Sequence, residues 1–207
     1  MPYLLPADYA SFGLAADTPD DVVTMASSLI ESWCRRPSLF VTQYIERMRL
    51  TAGSQAVRLS YRPLVVDTGA TSAVTGVRVR FARPRRGELP DPFRQQIMWA
   101  FSMPGSWSSL DLSGVDINMT NGEVTFAENW MGLDYNEVEV TYTSGFATTP
   151  DSVKSACAQL VKNAQATPAL NVKSSKMDTM QMQYFSNVLI DPQVQALLRP
   201  YLAERLG

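Results

Sequence analysis

The chain has 207 residues, a formal net charge of −2 at pH 7 and no histidine. A chain of this length can hold one or two compact domains, and its slight negative charge argues against bulk attraction to nucleic acid. The lack of histidine excludes the commonest general base and the commonest metal ligand. Because the N-terminal residues lack the basic region of a signal peptide and no apolar run is long enough to span a bilayer, we expect no membrane partner.

The N-terminal part of the chain combines an apolar arm with a helix. Residues 1–17 carry large apolar side chains without a clear period, so this arm packs either on its own fold or on a neighbouring molecule. Thr18, Pro19 and Asp20 supply the hydroxyl group, the proline and the acid that are typical of a helix start, and Pro37 stops the helix. The apolar stripe of this helix consists of Val22, Ala26, Leu29, Ile30 and Trp33.

The middle of the chain, residues 40–145, alternates apolar with polar side chains, which is typical of half-buried strands. We predict about five to seven short strands there, with a hairpin at Asn121 and Gly122. Residues 83–92 are rich in proline and arginine and predict a loop. Strands are predicted at residues 57–61, 77–81 and 138–142, and the short apolar run at residues 97–103 is interpreted as a further strand. Residues 40–50 fit a helix or a strand by period alone, and their β-branched and aromatic start favours a strand.

The C-terminal part begins with a helix that directly follows the last strand. Residues 149–151 repeat the hydroxyl group, the proline and the acid of the first helix start. Residues 180–183 alternate methionine with glutamine, which predicts a short strand or hairpin arm. Asp191 begins a last helix, in which Pro200 predicts a kink or an end near Arg199, because an interior proline costs about 3 kcal/mol.

The three amphipathic helices can bury their apolar stripes only against one another, which requires the two ends of the chain to meet. We therefore predict an α+β fold. Residues 1–39 and 146–207 form a small helical bundle core of three to four helices, with an N-terminal arm and a C-terminal tail. Residues 40–145 form a large β-rich module that is inserted into this core.

The acidic residues do not point to a catalytic or metal site. Asp20 with Asp21 fits a helix N-terminus, and Glu137 with Glu139 fits the surface of a strand. The spacing of the remaining candidates matches no loop that wraps an ion. Those candidates are Asp111, Asp116 and Glu123. We expect no catalytic residue, no metal and no cofactor.

The two cysteines, Cys34 and Cys157, each lie within a helical stripe. A buried free thiol is the favoured interpretation over a disulfide or a nucleophile. Free thiols fit synthesis in a reducing cytoplasm.

Arginines are concentrated between residues 78 and 94, with six in seventeen positions. One interpretation is contact with phosphate or with an acidic partner, because a guanidinium group binds oxyanions through paired hydrogen bonds. The favoured interpretation is ion pairing with Glu88, Asp91 and their neighbours, or with the next subunit. The basic patch consists of Arg78, Arg80, Arg83, Arg85 and Arg86.

Several motifs follow one another in an order that is known from one protein family. A short N-terminal helix ends near residues 34–36, and the strand LSYRPL at residues 59–64 ends in a proline. NGEVTF precedes VEVTYTSGFATTPDSVKSACAQLV, which passes from a strand through a proline into a long helix. The chain ends with KSSKMDTMQMQYF and LLRPY. This ordered set resembles the head–tail connector, or adaptor, proteins of tailed bacteriophages.

The match to this family is uneven along the chain. KSSKMDTMQMQYF is similar to the K-S-E-x-x-G-D-x-x-x-x-Y loop of the family, but Met177 replaces its glycine and the spacing differs. Residues 82–112 have no counterpart in the family. The resemblance implies that the candidate partner-interface residues are Lys173, Ser174, Ser175, Lys176, Asp178, Tyr184, Arg199, Tyr201 and Arg205.

The resemblance implies a structural virion protein without enzymatic activity. Members of the family form a ring, usually of twelve copies, that docks on the portal protein on one side. The other side joins the tail, a stopper or a nozzle protein, and genomic DNA passes through the ring without sequence-specific binding. We therefore expect a homo-oligomer at the head–tail junction of the virion, assembled in the host cytoplasm.

Two other function classes stay open. A glycan-binding or baseplate-type β module of a phage tail would hold sugars on Trp99, Trp107 and Trp130. These tryptophans are otherwise expected in the core of the β-rich module or at a subunit interface. A metal-dependent hydrolase is the least favoured class, because the chain has no histidine and no recognisable ligand spacing.

Overall fold

The computed structural model describes residues 2–51, 53–67, 69–83, 91–103, 105–166, 174–177, 180–183 and 189–204. Helices and antiparallel strands both occur within these ranges, so the fold class is α+β, as predicted. None of the described helices combines the length and the apolar character that a bilayer crossing requires.

The described residues form four α-helices and nine strands. The helices are α1 (Asp20–Cys34), α2 (Pro92–Ala100), α3 (Asp151–Ala166) and α4 (Pro192–Leu198). The strands are β1 (Thr42–Arg49), β2 (Ala56–Arg58), β3 (Val74–Arg80), β4 (Ser108–Ser109), β5 (Val115–Asn118), β6 (Glu123–Phe126), β7 (Glu137–Ser144), β8 (Ser174–Met177) and β9 (Met180–Gln183). Strands β1, β7, β3 and β4 form one sheet in that order, β2, β6 and β5 form a second, and β8 pairs with β9.

The chain divides into two compact units, each with its own hydrophobic cluster. The first unit comprises Met1–Phe40 and Phe146–Ala203. The second unit comprises Val41–Gly145 and Glu204–Gly207.

The core of the first unit forms where α3 packs against α1 and α4. α1 and α3 bury one face each, as their apolar stripes predict. Asp191 caps α4, because its carboxylate accepts a 2.7 Å hydrogen bond from the backbone N–H of Val194. α4 ends at Leu198, and a single 3-10 turn at Arg199–Tyr201 follows it. The predicted end near Arg199 is confirmed.

The N-terminal arm packs on its own fold rather than lying free. Tyr3, Leu4 and Tyr9 are buried in the core of the first unit together with α1 and α3. The hydroxyl group of Tyr3 donates a 2.8 Å hydrogen bond to Glu31 and accepts a 2.9 Å bond from the backbone N–H of Leu39. The arm is therefore an integral part of this core.

The core of the second unit lies on one face of the four-stranded sheet. In β7, which pairs with β1 on one side and β3 on the other, Val138, Val140 and Tyr142 are fully buried on this face. The Tyr142 hydroxyl donates a 2.7 Å hydrogen bond to Glu46, and burial together with this carboxylate raises the pKa of Tyr142. Strands β5 and β6 form the hairpin predicted at Gly122, which adopts a left-handed φ of 70°.

Two strand predictions need correction. Residues 97–103 were expected to be a strand, but most of them belong to the helix α2 and the turn that follows it. The carboxylate of Asp91 accepts a 2.9 Å hydrogen bond from Phe93 N–H, and Pro92 occupies the first turn, so this helix starts as α4 does. A short apolar run cannot by its period alone distinguish a strand from a helix. The strand predicted at residues 57–61 is also shorter and comprises Ala56–Arg58.

Candidate functional site

The predicted partner-interface residues divide into described and undescribed ones. Ser174, Ser175 and Lys176 lie in β8, where Ser174 is opposite Gln183 in β9. Arg199 and Tyr201 lie in the 3-10 turn after α4. The remaining ones fall outside the described residues. These are Lys173, Asp178, Tyr184 and Arg205, and from the basic patch Arg85 and Arg86.

The described part of the C-terminal segment is anchored to the first unit. The hydroxyl group of Tyr201 shares a 2.5 Å hydrogen bond with that of Ser152 in α3. The Tyr201 ring meets the Phe146 ring edge to face, with 5.4 Å between the ring centroids. Arg199 is exposed. Tyr201 therefore holds the turn in place, whereas the Arg199 side chain faces solvent.

A half-open apolar groove of about 420 Å³ lies beside this segment on the first unit. Leu29 and Trp33 of α1, Ile190 and Leu202 contribute apolar side chains to it, and Arg35 adds a guanidinium group. Within the described part of the chain, the buried indole Nε1 of Trp33 has no hydrogen-bond acceptor. The groove combines apolar surface with the charged side chain of Arg35, as peptide-binding grooves do.

The basic patch becomes part of a larger arrangement on the sheet of the second unit. We call this arrangement the arginine–tryptophan cluster. It consists of Arg47, Arg78, Arg80, Trp107, Glu137 and Glu139. The guanidinium carbons of Arg80, Arg47 and Arg78 lie 4.5, 5.3 and 5.5 Å from the centroid of the Trp107 ring. These distances are those of cation–π contacts.

Glu137 is buried at the centre of this cluster, which corrects the expectation of a strand surface. Its side chain accepts hydrogen bonds from Arg47 Nε at 2.8 Å and from Arg80 Nε at 2.5 Å. Only 5% of Glu137 is exposed, because β7 lies between β1 and β3 and arginines from both neighbours cover it. Burial by itself raises the pKa of Glu137, but the two guanidinium groups outweigh it and hold the pKa below its ordinary value.

The other described residues of the basic patch are Arg78 and Arg83. Arg78 forms an ion pair of 3.5 Å with Glu139, its direct neighbour across the strands. Arg83 is exposed, and its backbone carbonyl accepts a 2.8 Å hydrogen bond from Arg49. The favoured interpretation, ion pairing, applies to Arg78 and Arg80, but their partners are the carboxylates of β7.

Sequence reasoning missed Arg47, which is a full member of the cluster. A signal for it was present: arginines at positions 47 and 49 and glutamates at 137 and 139 each repeat with the period of two that places side chains on one sheet face. Pairing the two strands in the right register brings these charges together. The register itself is not visible in either segment alone.

The sequence predicted the tryptophans of the second unit in the core of the β-rich module or at a subunit interface. None of them belongs to the hydrophobic core of that unit, so the first of these predictions is wrong. Trp130 is 83% exposed and Trp99 is 57% exposed, while Trp107 is partly buried beneath the arginines. Phe93 and Phe101 are also largely exposed, so α2 and its end present three large aromatic side chains within nine residues.

The chain has no match among protein-family models and none among curated proteins.

The other candidate groups have structural roles. Asp111 accepts a 3.1 Å hydrogen bond from Ser113 N–H at the start of a short turn. Among the described residues, no group of three acidic or cysteine side chains is placed to hold a metal ion. Cys34 and Cys157 are free and buried, as predicted, and burial raises the pKa of each thiol to about 11.

Proposed function

We propose that this protein is a structural adaptor of tailed-bacteriophage particles. Its copies form a closed ring, dodecameric by analogy with the family that it resembles, at the head–tail junction of the virion. One side of the ring docks on the portal protein, the other receives the tail, a stopper or a nozzle protein, and genomic DNA passes through without sequence-specific binding. The protein carries out no reaction, needs no cofactor and is assembled in the host cytoplasm.

In this proposal the three helices α1, α3 and α4 build the ring, and the second unit is a module inserted into that helical core. The motif order from the hairpin through β7 into α3 supports this assignment. The integral N-terminal arm supports it too, since it enlarges a bundle that has only three described helices.

The observation that carries the proposal is the exposure of three aromatic side chains in and just after α2. Phe93, Trp99 and Phe101 are each more than half exposed. Burial of one such side chain stabilises a protein by about 1.5–3 kcal/mol, and aromatic residues are enriched at protein interfaces. The exposure of these side chains favours a protein that functions against neighbouring subunits.

The apolar groove of the first unit supports a second contact, to the portal or the tail component. It lies beside the C-terminal segment that the family resemblance assigns to partner binding. Leu202 contributes an exposed apolar side chain to the groove, and Arg199 offers a charge on the adjacent turn. An apolar groove with nearby cations suits a partner segment that contains apolar and acidic residues.

The proposal is tested by measuring the mass of the assembled protein with and without portal assemblies. We expect a closed oligomer that binds portal, and we expect Trp99→Ser with Phe101→Ser to weaken the assembly. Met119→Ser, which changes a partly exposed apolar residue elsewhere in the second unit, is the matched control. A wild-type protein that stays monomeric and shows no affinity for portal would contradict the proposal.

Exposure of Trp130 and Trp99 favours glycan binding as the alternative function, because sugars stack on exposed aromatic rings. A glycan array separates the two functions. If the alternative holds, Trp130→Ala or Trp99→Ala abolishes binding, whereas Trp107→Ala, which changes a ring already covered by arginines, does not. A protein that binds no glycan on the array leaves the alternative without support.

A further inference from the structure

Two arginines of the arginine–tryptophan cluster keep unused hydrogen-bonding capacity. Arg80 already has two acceptors, since it donates hydrogen bonds to Glu137 and, at 3.4 Å, to the Gly105 carbonyl. Arg47 and Arg78 are different, because both side chains are half-exposed. In the described part of the chain, Arg47 donates only through Nε, and Arg78 has only its 3.5 Å ion pair.

The sheet and the indole ring of Trp107 fix the positions of Arg47 and Arg78. Both guanidinium groups lie against Trp107, so neither moves freely. Arg47 and Arg78 face the same residue of β7, Glu139, from opposite sides. Preorganised guanidinium groups lose less entropy when they bind a further carboxylate.

The chemistry of the cluster favours carboxylates over a polyanion. Glu137 already shows that the arginines bind a carboxylate at hydrogen-bonding distance. The cluster contains three arginines and two glutamates, so its excess positive charge is small. One or two carboxylates can satisfy a small excess of positive charge, whereas binding to nucleic acid requires many uncompensated cations along the phosphate backbone.

The chain itself offers a complementary group in its first unit. Asp17, Asp20 and Asp21 are three exposed acids within five residues, and we call them the acidic start of α1. The carboxylate of Asp20 accepts a 3.2 Å hydrogen bond from Tyr9. Asp17 and Asp21 have no hydrogen bond or ion pair among the described contacts.

We infer that the arginine–tryptophan cluster of one copy binds the acidic start of α1 of the next copy. The contact joins two different surfaces, so it is heterologous, and repetition of a heterologous contact builds rings when the rotation closes. The inference rests on the proposed ring function and assigns one subunit contact within it.

Reciprocal charge reversal tests this contact. One variant carries Arg78→Glu, which leaves both Arg47 and Arg80 bonded to the buried Glu137. The other carries Asp17→Arg and Asp21→Arg, which leaves the bond between Tyr9 and Asp20 intact. We expect each variant alone to self-associate roughly a hundredfold more weakly than the wild type, because like charges then face each other. Sedimentation velocity measures the change.

A one-to-one mixture of the two variants is the decisive measurement. In the mixture, each reversed surface meets an opposite charge on the other protein, so we expect assembly to return. Recovery also shows that both variants are folded. Two variants that assemble like the wild type, or a mixture that does not recover, would overturn the inference while leaving the ring proposal in place.

Two further experimental results can be distinguished from those of the mixture. A wild-type protein that stays monomeric with portal present overturns the ring proposal, and the assigned contact falls with it. Loss of salt-dependent retention of double-stranded DNA by the arginine variant, with self-association unchanged, also overturns the inference, since the cluster would then serve nucleic acid.

Discussion

At the scale of single residues, the most consequential side chain is Glu137. Its carboxylate is buried beneath arginines of the neighbouring strands and accepts hydrogen bonds from two of them, Arg47 and Arg80. Burial of a carboxylate lowers the free energy of unfolding unless the charge is paired, so removal of one of its partners destabilises the protein. The stability of the second unit should therefore depend on this one charge.

We predict that Glu137→Gln lowers the free energy of unfolding by about 1–3 kcal/mol at pH 7, because charge-assisted hydrogen bonds are lost inside the sheet. Glu139→Gln is the matched control, since Glu139 has only a 3.5 Å ion pair to a half-exposed arginine, and its effect should be about 0–1 kcal/mol. Urea unfolding of both variants measures the difference. Equal effects of the two substitutions would contradict the role assigned to Glu137.

The same residue predicts a pH dependence. Because the folded protein holds the pKa of Glu137 below the unfolded value of 4.5, its stabilisation is fully present above that value and is lost as pH falls through the lowered folded pKa. The difference between the wild type and Glu137→Gln should therefore shrink when unfolding is measured in increasingly acidic buffer. A difference that stays constant into strong acid would be inconsistent with this titration.

The two thiols provide a further prediction at this scale. Both cysteines are buried, and burial raises the pKa of each to about 11, so the reactive thiolate is scarce and inaccessible at pH 8. We expect Ellman's reagent to leave the native protein unmodified and to modify both cysteines in guanidinium chloride. Rapid modification of the native protein would show that the core of the first unit opens.

At the scale of structural elements, the N-terminal arm shows how a segment without a regular period becomes part of a core. Its aromatic and aliphatic side chains fill space against α1 and α3, and the Tyr3 hydroxyl group links the arm to both α1 and the segment at Leu39. Such an arm contributes to stability through burial rather than through backbone pairing.

We predict that Tyr3→Ala destabilises the protein by about 3–5 kcal/mol, because it removes a fully buried aromatic ring and leaves the Leu39 N–H without its acceptor. Leu5→Ala, two residues away and largely exposed, should change stability by less than about 0.5 kcal/mol. Thermal unfolding of both variants tests the arm. If Tyr3→Ala were as stable as Leu5→Ala, the arm would not be part of the core.

At the scale of the whole molecule, each unit presents a surface suited to partners. The second unit has exposed aromatic residues at α2 and the arginine–tryptophan cluster. The first unit has the apolar groove and an exposed arginine, Arg199, in the turn after α4. In the proposed ring these surfaces have different partners, namely neighbouring subunits for the second unit and portal or tail for the groove.

We predict that Leu202→Ser with Arg199→Ala weakens attachment to portal assemblies and leaves self-association unchanged, because the substitutions alter only a groove residue and an exposed arginine of the adjacent 3-10 turn. Val66→Ser, an exposed apolar position in the second unit, serves as the control. Co-sedimentation with portal measures attachment. Portal binding at the wild-type level would exclude the groove as the docking surface.

Much of this fold could be predicted from short segments. The starts of α3 and α4, the hairpin at Gly122 and the passage from β7 into α3 all depend on residues within a few positions of one another. α2 has a start of the same kind at Asp91, but the proline-rich sequence around it favoured a loop prediction. The candidate site was only partly predictable, since the basic patch contained Arg78 and Arg80 but neither their partners nor Arg47.

From residues within one or two turns of each other, the sequence alone predicted the starts of α3 and α4, the hairpin at Gly122, the α+β class and the burial of the two free thiols, because capping and periodicity act over short distances along the chain. Tertiary structure alone decided that Glu137 is buried, that three arginines surround Trp107 and that Trp99 and Trp130 face solvent. The reason is distance along the chain: Arg47 and Arg80 lie 90 and 57 residues from Glu137. Only the pairing of β7 with β1 and β3 brings those charges together.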